Sequence, residues 1–458
     1  MGLRPNLIVI LIDDLRFDEF GAGGHPYMQT PHIDLLAHEG ALFTNAFHTT
    51  PLCSPNRASI LTGQYASRHG IIDNVGRDAA SHRLANYMLV LQQLGYETAH
   101  IGKWHMGNDA SPRPGYDTWV SFRGQGQLVD PEFFEEGALR PVQGYVTDLL
   151  NARAVAFIEK PHDRPFALFL AHKAVHPDLF QAQDGTIDLT SLGGYLSAAR
   201  HSDLYRGCYF PPRPNVLRPE EVVQQKPAWH EAFALKASER SQLLLRSVHA
   251  GTQEEIRCRA AMMASVDEGV GMLLAALARQ GMLEHTCIVF LGDNGYFFGE
   301  HALGPERRFA YEEGIRSPFV MRYPPLIAPG TVVPEITLAL DIAPTCIELA
   351  GGTPGPHIQG RSLVPLLSGL AQDWRISFLI EYYSESAMPW LIGMTYKAVR
   401  TVRYKLIHWV HHNDCDELYD LEQDPYELQN HIGDPVYQEV RDGLYHELAR
   451  LVAASVGL

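Results

Sequence analysis

The chain has 458 residues, 46% of them hydrophobic and 20% charged. That length suits one large domain and a smaller one, because a single core stops growing near about 250–300 residues. Its 53 acidic residues outnumber 37 Lys and Arg for a formal charge of -16, which argues against nucleic acid or an anionic membrane as the main partner, since both demand a basic face.

In chain order, the first predicted element is the apolar run at residues 7–12, which ends in Asp13 and Asp14. It is too short for the apolar part of a signal peptide, and no stretch reaches the roughly 18–20 apolar residues of a membrane span. The expectation is a soluble chain, cytoplasmic as it stands, or periplasmic or secreted if an export signal has been removed. The stretch from Pro51 to Gly63 reads as a short helix with Ser54 as N-cap, Pro55 in the first helical position and Gly63 as the stop. Cys53 then sits at the positive end of that helix, where free N–H groups favour an anion. Arg57, a cation in the first turn, is misplaced by the dipole alone, and a bound anion would reverse that penalty. The other cysteines, Cys208, Cys258, Cys287, Cys346 and Cys415, show no paired or zinc-type spacing and read as small buried hydrophobes.

Residues 98–101 are a weaker strand, leading into Gly102-Lys103-Trp104-His105. Gly124-Gln125-Gly126-Gln127 follows no strong strand and lacks a phosphate-loop lysine, so it reads as a flexible pocket-lining loop. Residues 166–170 are a second clear strand, followed by His172-Lys173-Ala174-Val175-His176. The Pro-studded segment 178–242 reads as an insertion over one face. Residues 262–280 form an amphipathic helix through Val266, Val270, Leu273, Leu274 and Leu277, ended by Gly281. The run at 287–291 is a third strand and ends in Asp293-Asn294. Runs buried on both faces and alternating with helices predict a three-layer α/β/α domain with a mostly parallel sheet. Past Trp374, residues 397–402 and 404–409 predict antiparallel strands, with a terminal helix from about residue 436. The division is a catalytic domain at 1–370 and an α+β subdomain with a short antiparallel sheet at 371–458.

Ligands in parallel sheets bind beyond the carboxyl ends of strands. Two strands end there in Asp13-Asp14 and Asp293-Asn294, a hard oxygen set suited to Ca2+ or Mg2+ rather than zinc. His408, His411 and His412, among 22 histidines, read as a solvated cluster. Trp104, Trp119, Tyr209 and Trp390 are candidates for a ring-stacking wall, against buried aromatic core for each.

Cys53-Ser54-Pro55-Asn56-Arg57, followed by Leu61-Thr62-Gly63, resembles the C-x-P-x-R…L-T-G signature of the type I sulfatases, in the alkaline phosphatase-like superfamily. The resemblance implies a sulfuric ester hydrolase in which a formylglycine-generating or anaerobic sulfatase-maturating enzyme oxidises Cys53 to formylglycine. One hydroxyl of its hydrate attacks sulfur, and the other then expels sulfate. The resemblance makes Asp13, Asp14, Asp293, Asn294 and residue 53 the shell of a metal ion, usually Ca2+. It makes Lys103 and His105 sulfate contacts and His176 the leaving-group contact and general acid. A lysine usually stands four residues before Tyr-Glu-Glu. Here Glu306-Arg307-Arg308 precedes Tyr311-Glu312-Glu313, so Arg307 takes that place, or its role falls to Arg308. The stretch from Asp416 to Asp424-Pro425, with Glu427 and Asn430, reads as structural. The substrate reading is an exo-acting sulfatase on a sulfated carbohydrate. The alternatives are an aryl sulfatase, a phosphonate monoester or phosphodiester hydrolase, and a glycan-binding member with unmodified Cys53.

Overall fold

The computed structural model describes residues 4–187, 194–218, 221, 222, 225–228, 253–304, 306–386 and 391–457. Four parallel strands form its centre: β1 (Asn6–Ile12), β2 (Glu97–Gly102), β3 (Phe166–Ala171) and β4 (Thr286–Gly292). Their order is β4-β1-β3-β2 within a ten-stranded sheet. Antiparallel strand Phe319–Arg322 adds beside β4, and parallel strand Thr118–Ser121 adds beside β2.

Each central strand is β-rich and apolar on both faces, so it needs a cover on each side. Ile8, Ile10 and Ile12 pack against helices α2 (Val146–Glu159) and α3 (Gln253–Arg279), while Leu7, Val9 and Leu11 pack against α1 (Cys53–Thr62) and its neighbours. The result is the three-layer α/β/α arrangement. Val266, Val270, Leu273, Leu274 and Leu277 are all buried, each contributing about 1.5–3 kcal/mol of transfer free energy. The helix begins before residue 262 and ends at Arg279, two residues ahead of Gly281, whose φ is +67°. By length and composition α3 passes as a candidate membrane span, contrary to the sequence expectation, but 67% of that window is buried inside the protein.

The strand ends are level. Ile10 pairs with Leu170 on one side and Phe290 on the other, so Asp13, His172 and Asp293 leave the sheet at one edge. Gly102 ends β2 with φ +117°, and a Cβ there would meet the Ala171 carbonyl oxygen at 1.9 Å. Only glycine allows β2 to turn Lys103 toward that edge at so close an approach.

A separate antiparallel sheet runs Ser377–Tyr382, Tyr396–Thr401, Tyr404–Trp409 and Glu417–Asp420. One face holds helix α4 (Gln438–Val456) through Leu444 and Leu448. The other packs on Phe309, Tyr311 and Ile315. Glu417 accepts from Trp409 Nε1 at 3.0 Å and from the Tyr311 hydroxyl, and Glu427 accepts from Lys405 Nζ at 2.7 Å. Of the stretch 178–242, residues 188–193, 219, 220, 223, 224 and 229–242 lie outside the described residues. Residues 178–187 double back, with bridges from Asp178 to Gly194 and from Gln181 to Ile187.

Candidate active site

Helix α1 starts two residues earlier than expected. Its N-cap is Leu52, and Cys53, Ser54 and Pro55 are already helical. Ser54 is therefore not the cap. Its N–H donates to Asn74 Oδ1 at 3.1 Å and its hydroxyl donates to the His105 carbonyl at 2.5 Å. A distant side chain has replaced the local cap, which frees the helix start to point Cys53 at the strand ends. Gly63 closes the helix in the left-handed region as expected.

The structure brings Asp13, Asp14, Cys53 and Asp293 together, with one potential ligand atom from each within 4.8 Å of the others. All are fully buried, as is Asn294. Cys53 Sγ lies 3.9 Å from Asp14 Oδ1, which accepts from Asn294 Nδ2 at 2.7 Å. Three cations surround this set. Arg57 donates through Nε to Asp293 Oδ2 at 2.8 Å and through Nη1 to the Lys103 carbonyl at 2.7 Å. Lys103 Nζ bonds Asp13 and donates to Gln125 Oε1 at 2.5 Å. Arg307 Nη1 is 3.1 Å from Asp14 Oδ2. Arg308 turns the other way, to Glu306 and Glu385, so Arg307 alone of the pair reaches the cluster.

Burial opposes ionisation of every carboxylate here, and the neighbours decide the outcome. The charges of Lys103 and Arg57 overcome burial and hold Asp13 well below the usual range. Burial and the charge of Asp13 push Asp293 up to about 7. Burial and Lys103 drive His105 well below its ordinary value, and burial with Lys103, Lys173 and Arg307 does the same to His176. Both imidazoles are neutral. His176 Nδ1 lies 2.8 Å from the Pro177 carbonyl, which only accepts, so the proton is on Nδ1. Its Nε2 lone pair faces Arg307 Nη2 at 3.4 Å.

A cation fits this set. Asp13 Oδ1, Asp14 Oδ2 and Asn294 Oδ1 are buried oxygens without a hydrogen bond, and such atoms cost roughly 1–3 kcal/mol each, more when charged, unless something binds them. Three carboxylates are balanced by Arg57, Lys103 and Arg307. A divalent ion would make the centre cationic and attractive to an anion.

Three residues outside the expected catalytic and metal-binding sets also converge. Lys103 can only donate, so it fixes Gln125 with its oxygen inward and its nitrogen on Gln181 Oε1, at 2.9 Å. Gln181 Oε1 in turn faces His105 Nε2 at 2.9 Å, which places the His105 proton on Nε2. Arg259 of α3 donates to the Asp14 carbonyl at 2.6 Å and is paired with Glu19. Its readable signal is a cation seven residues before Val266, on the apolar face. Gln125 lay within the expected pocket-lining loop, but Gln181 carried no local signal.

The aromatic wall is not there for two of its members. Trp104 and Trp119 pack with His100 and Tyr116 in the core, their indole N–H groups spent on Ser81 and Ala110. Tyr209 is exposed, and Trp390 lies outside the described residues. His412 is buried rather than solvated, whereas His408 is half-exposed beside Asp416.

Comparison with known proteins bears on what this edge does. The sulfatase family model matches residues 5–352, and that of the N-sulphoglucosamine sulphohydrolase C-terminal region matches residues 299–454. An N-acetylglucosamine-6-O-sulfatase of Bacteroides thetaiotaomicron is 30% identical over 95% of this chain and 84% of its own length. A solved structure of a protein in complex with its substrate D-glucosamine-2-N,6-O-disulfate superposes with a TM-score of 0.83 at 28% identity, covering 99% and 98% of the two chains. A phosphonate monoester hydrolase of Agrobacterium radiobacter shares the fold, with a TM-score of 0.77 at 23% identity over 99% and 96%. With one family model running from β1 through β4 and the other over the antiparallel sheet, the chain belongs to the sulfatases, hydrolases of sulfate esters in the alkaline phosphatase-like superfamily.

Proposed function

We propose that the protein removes sulfate from a sulfated carbohydrate, using formylglycine made from Cys53 and a Ca2+ ion held by Asp13, Asp14, Asp293 and Asn294. The observation that carries this reading is the cluster of unbonded oxygens of Asp13, Asp14 and Asn294 beside residue 53, ringed by three cations. The carbohydrate follows the relatives, one named for N-acetylglucosamine 6-O-sulfate and one solved with a glucosamine disulfate. When bound, the ion supplies Lewis acidity, and formylglycine supplies a pair of hydroxyls in place of a thiol.

The chain's own residues do the rest. Arg57 and Lys103 keep Asp13 ionised and leave positive charge for the sulfuryl oxygens. Arg307 presents N–H groups beside His176, where charge develops on the leaving oxygen. His176 holds its ring by Nδ1 to Pro177 and offers Nε2 to a proton. It stands neutral among cations, so it gains that proton only when an anion has entered the site.

Arg307→Ala is expected to lower kcat by about 100- to 1,000-fold, the loss typical of one positioned donor. Arg307→Lys is expected to keep most of the rate, because the charge stays. Steady-state kinetics on one sulfate ester checks both. Titrating Ca2+ into chelator-treated protein is expected to raise Tm, with about 2.7 kcal/mol gained at one hundred times Kd. Asp293→Ala is expected to abolish the shift. Calorimetry reads this without turnover, and a Tm indifferent to Ca2+ and Mg2+ would remove the metal from the reading.

The reading as a whole is tested by a panel of position-defined sulfated monosaccharides, run beside matched aryl sulfate and aryl phosphonate esters. Peptide mass at Cys53 is recorded on the same protein. Turnover of at least one sulfated sugar, ahead of the phosphonate, is the expected result. Preference for the phosphonate, or an unmodified Cys53 in protein from its native host, would overturn it.

A further inference from the structure

Beside the candidate catalytic cluster lies a cavity of about 810 Å³, within the size range of small-ligand sites. Three segments build most of it, with Asp78 and Glu132 completing the lining: Asn108 and Asp109 from the turn after β2, residues 122–127 after strand Thr118–Ser121, and residues 179–183 after β3. All leave the sheet at the carboxyl edge that also carries Asp13, Lys103 and His176. The cavity and the cluster share one wall. Gln125 and Gln181 line the cavity, and their amides also bond Lys103 Nζ and His105 Nε2.

We propose that this cavity binds the uncharged sugar ring next to the sulfated one, so that the enzyme reads two units of a glycan. The inference rests on the carbohydrate reading above. Its chemistry is that of a hydroxyl-bearing ring with an apolar face. Phe180 stands at the rim with 62% of its surface exposed, a flat surface for the C–H side of a ring. Around it, the side chains of Asn108, Gln127 and Glu132 make no hydrogen bond within the protein among the described residues, so each is available to a hydroxyl.

Charge narrows the class. The lining carries Asp78, Asp109 and Glu132 against Arg123. Asp78 and Asp109 are engaged by Gln183, His82 and Ser111 and share Arg113 at 3.8 and 3.9 Å, so with Glu132 against Arg123 the wall keeps one net negative charge. A sulfate or uronate on the neighbouring ring would be repelled there, a neutral hexose accepted, and a free amino group welcomed.

The test compares three substrates: an aryl sulfate, a sulfated monosaccharide, and the same sulfated sugar joined to a neutral hexose. Wild-type kcat/KM is expected to be about tenfold higher on the disaccharide than on the monosaccharide. Phe180→Ala and Asn108→Ala are expected to erase most of that gain through KM, while both smaller substrates are turned over within about twofold of wild type. A carboxylate on the neighbouring ring should remove the gain, and Glu132→Gln should return part of it.

Two results would overturn the subsite alone: a disaccharide no better than the monosaccharide, or variants that lose equally on the aryl sulfate. A wild-type enzyme that cleaves the aryl sulfate and no sulfated sugar would instead fail the carbohydrate reading and take the subsite with it.

Discussion

Cys53→Ala is expected to lower kcat on any sulfate ester by about 10,000-fold or more, while folding free energy changes by about 1 kcal/mol. The asymmetry follows from the position. Cys53 is fully buried in the first turn of α1, and its Sγ approaches Asp14 without a strong bond, so little packing depends on it. Burial also pushes the thiol well above its ordinary range, which makes an unmodified Cys53 a poor nucleophile. Cys53→Ser separates the proposed chemistry from simple nucleophilic attack. A serine has one hydroxyl, so a sulfated serine has no second hydroxyl with which to expel sulfate. The expected outcome is a single turnover, seen as a covalent sulfate adduct on intact mass. Sustained turnover by the serine variant would end the formylglycine reading.

Arg57→Ala is expected to cost about 3–5 kcal/mol of stability, because it leaves Asp293 as a buried charge without its partner and Asp13 with Lys103 alone. Arg57 is 1% exposed and is bound by its guanidinium to Asp293, the Lys103 carbonyl and, at 3.7 Å, Asp13. Activity is expected to fall with stability, but metal affinity is not. Removing a positive charge beside three carboxylates favours a dication, so Ca2+ should bind the folded variant at least as tightly as wild type. Chemical denaturation with and without Ca2+ measures both terms. Loss of Ca2+ binding in a folded Arg57→Ala protein would show that the arginine arranges the carboxylates rather than balancing them.

The two acidic strand ends were legible because they break a strong local pattern. An apolar run has no reason to stop in paired acids unless something at its end wants them, and in a parallel sheet such ends share an edge. The residues between elements were harder. Ser54 looked like a cap because its local sequence is that of a cap, yet Asn74, twenty residues on, supplies the acceptor. Gln181 has an ordinary surface composition around it, and its place against His105 depends on how residues 178–187 double back. Trp104 and Trp119 show the reverse case. Their spacing is compatible with a wall, but local sequence does not say which rings turn into the core. Arg307 was legible only as a departure from a motif. Distance then separated it from Arg308, whose side chain is committed to Glu306 and Glu385.

The complete burial of residue 53 sets an order of events in the life of the chain. In the folded protein no enzyme can grasp the Cys53–Arg57 stretch, since every side chain of α1 is inside. On the proposed chemistry, oxidation belongs to the interval after this stretch is synthesised and before α1 docks on β1. Folding speed and maturation then compete, and a variant that folds faster can yield more protein with a smaller share of it active.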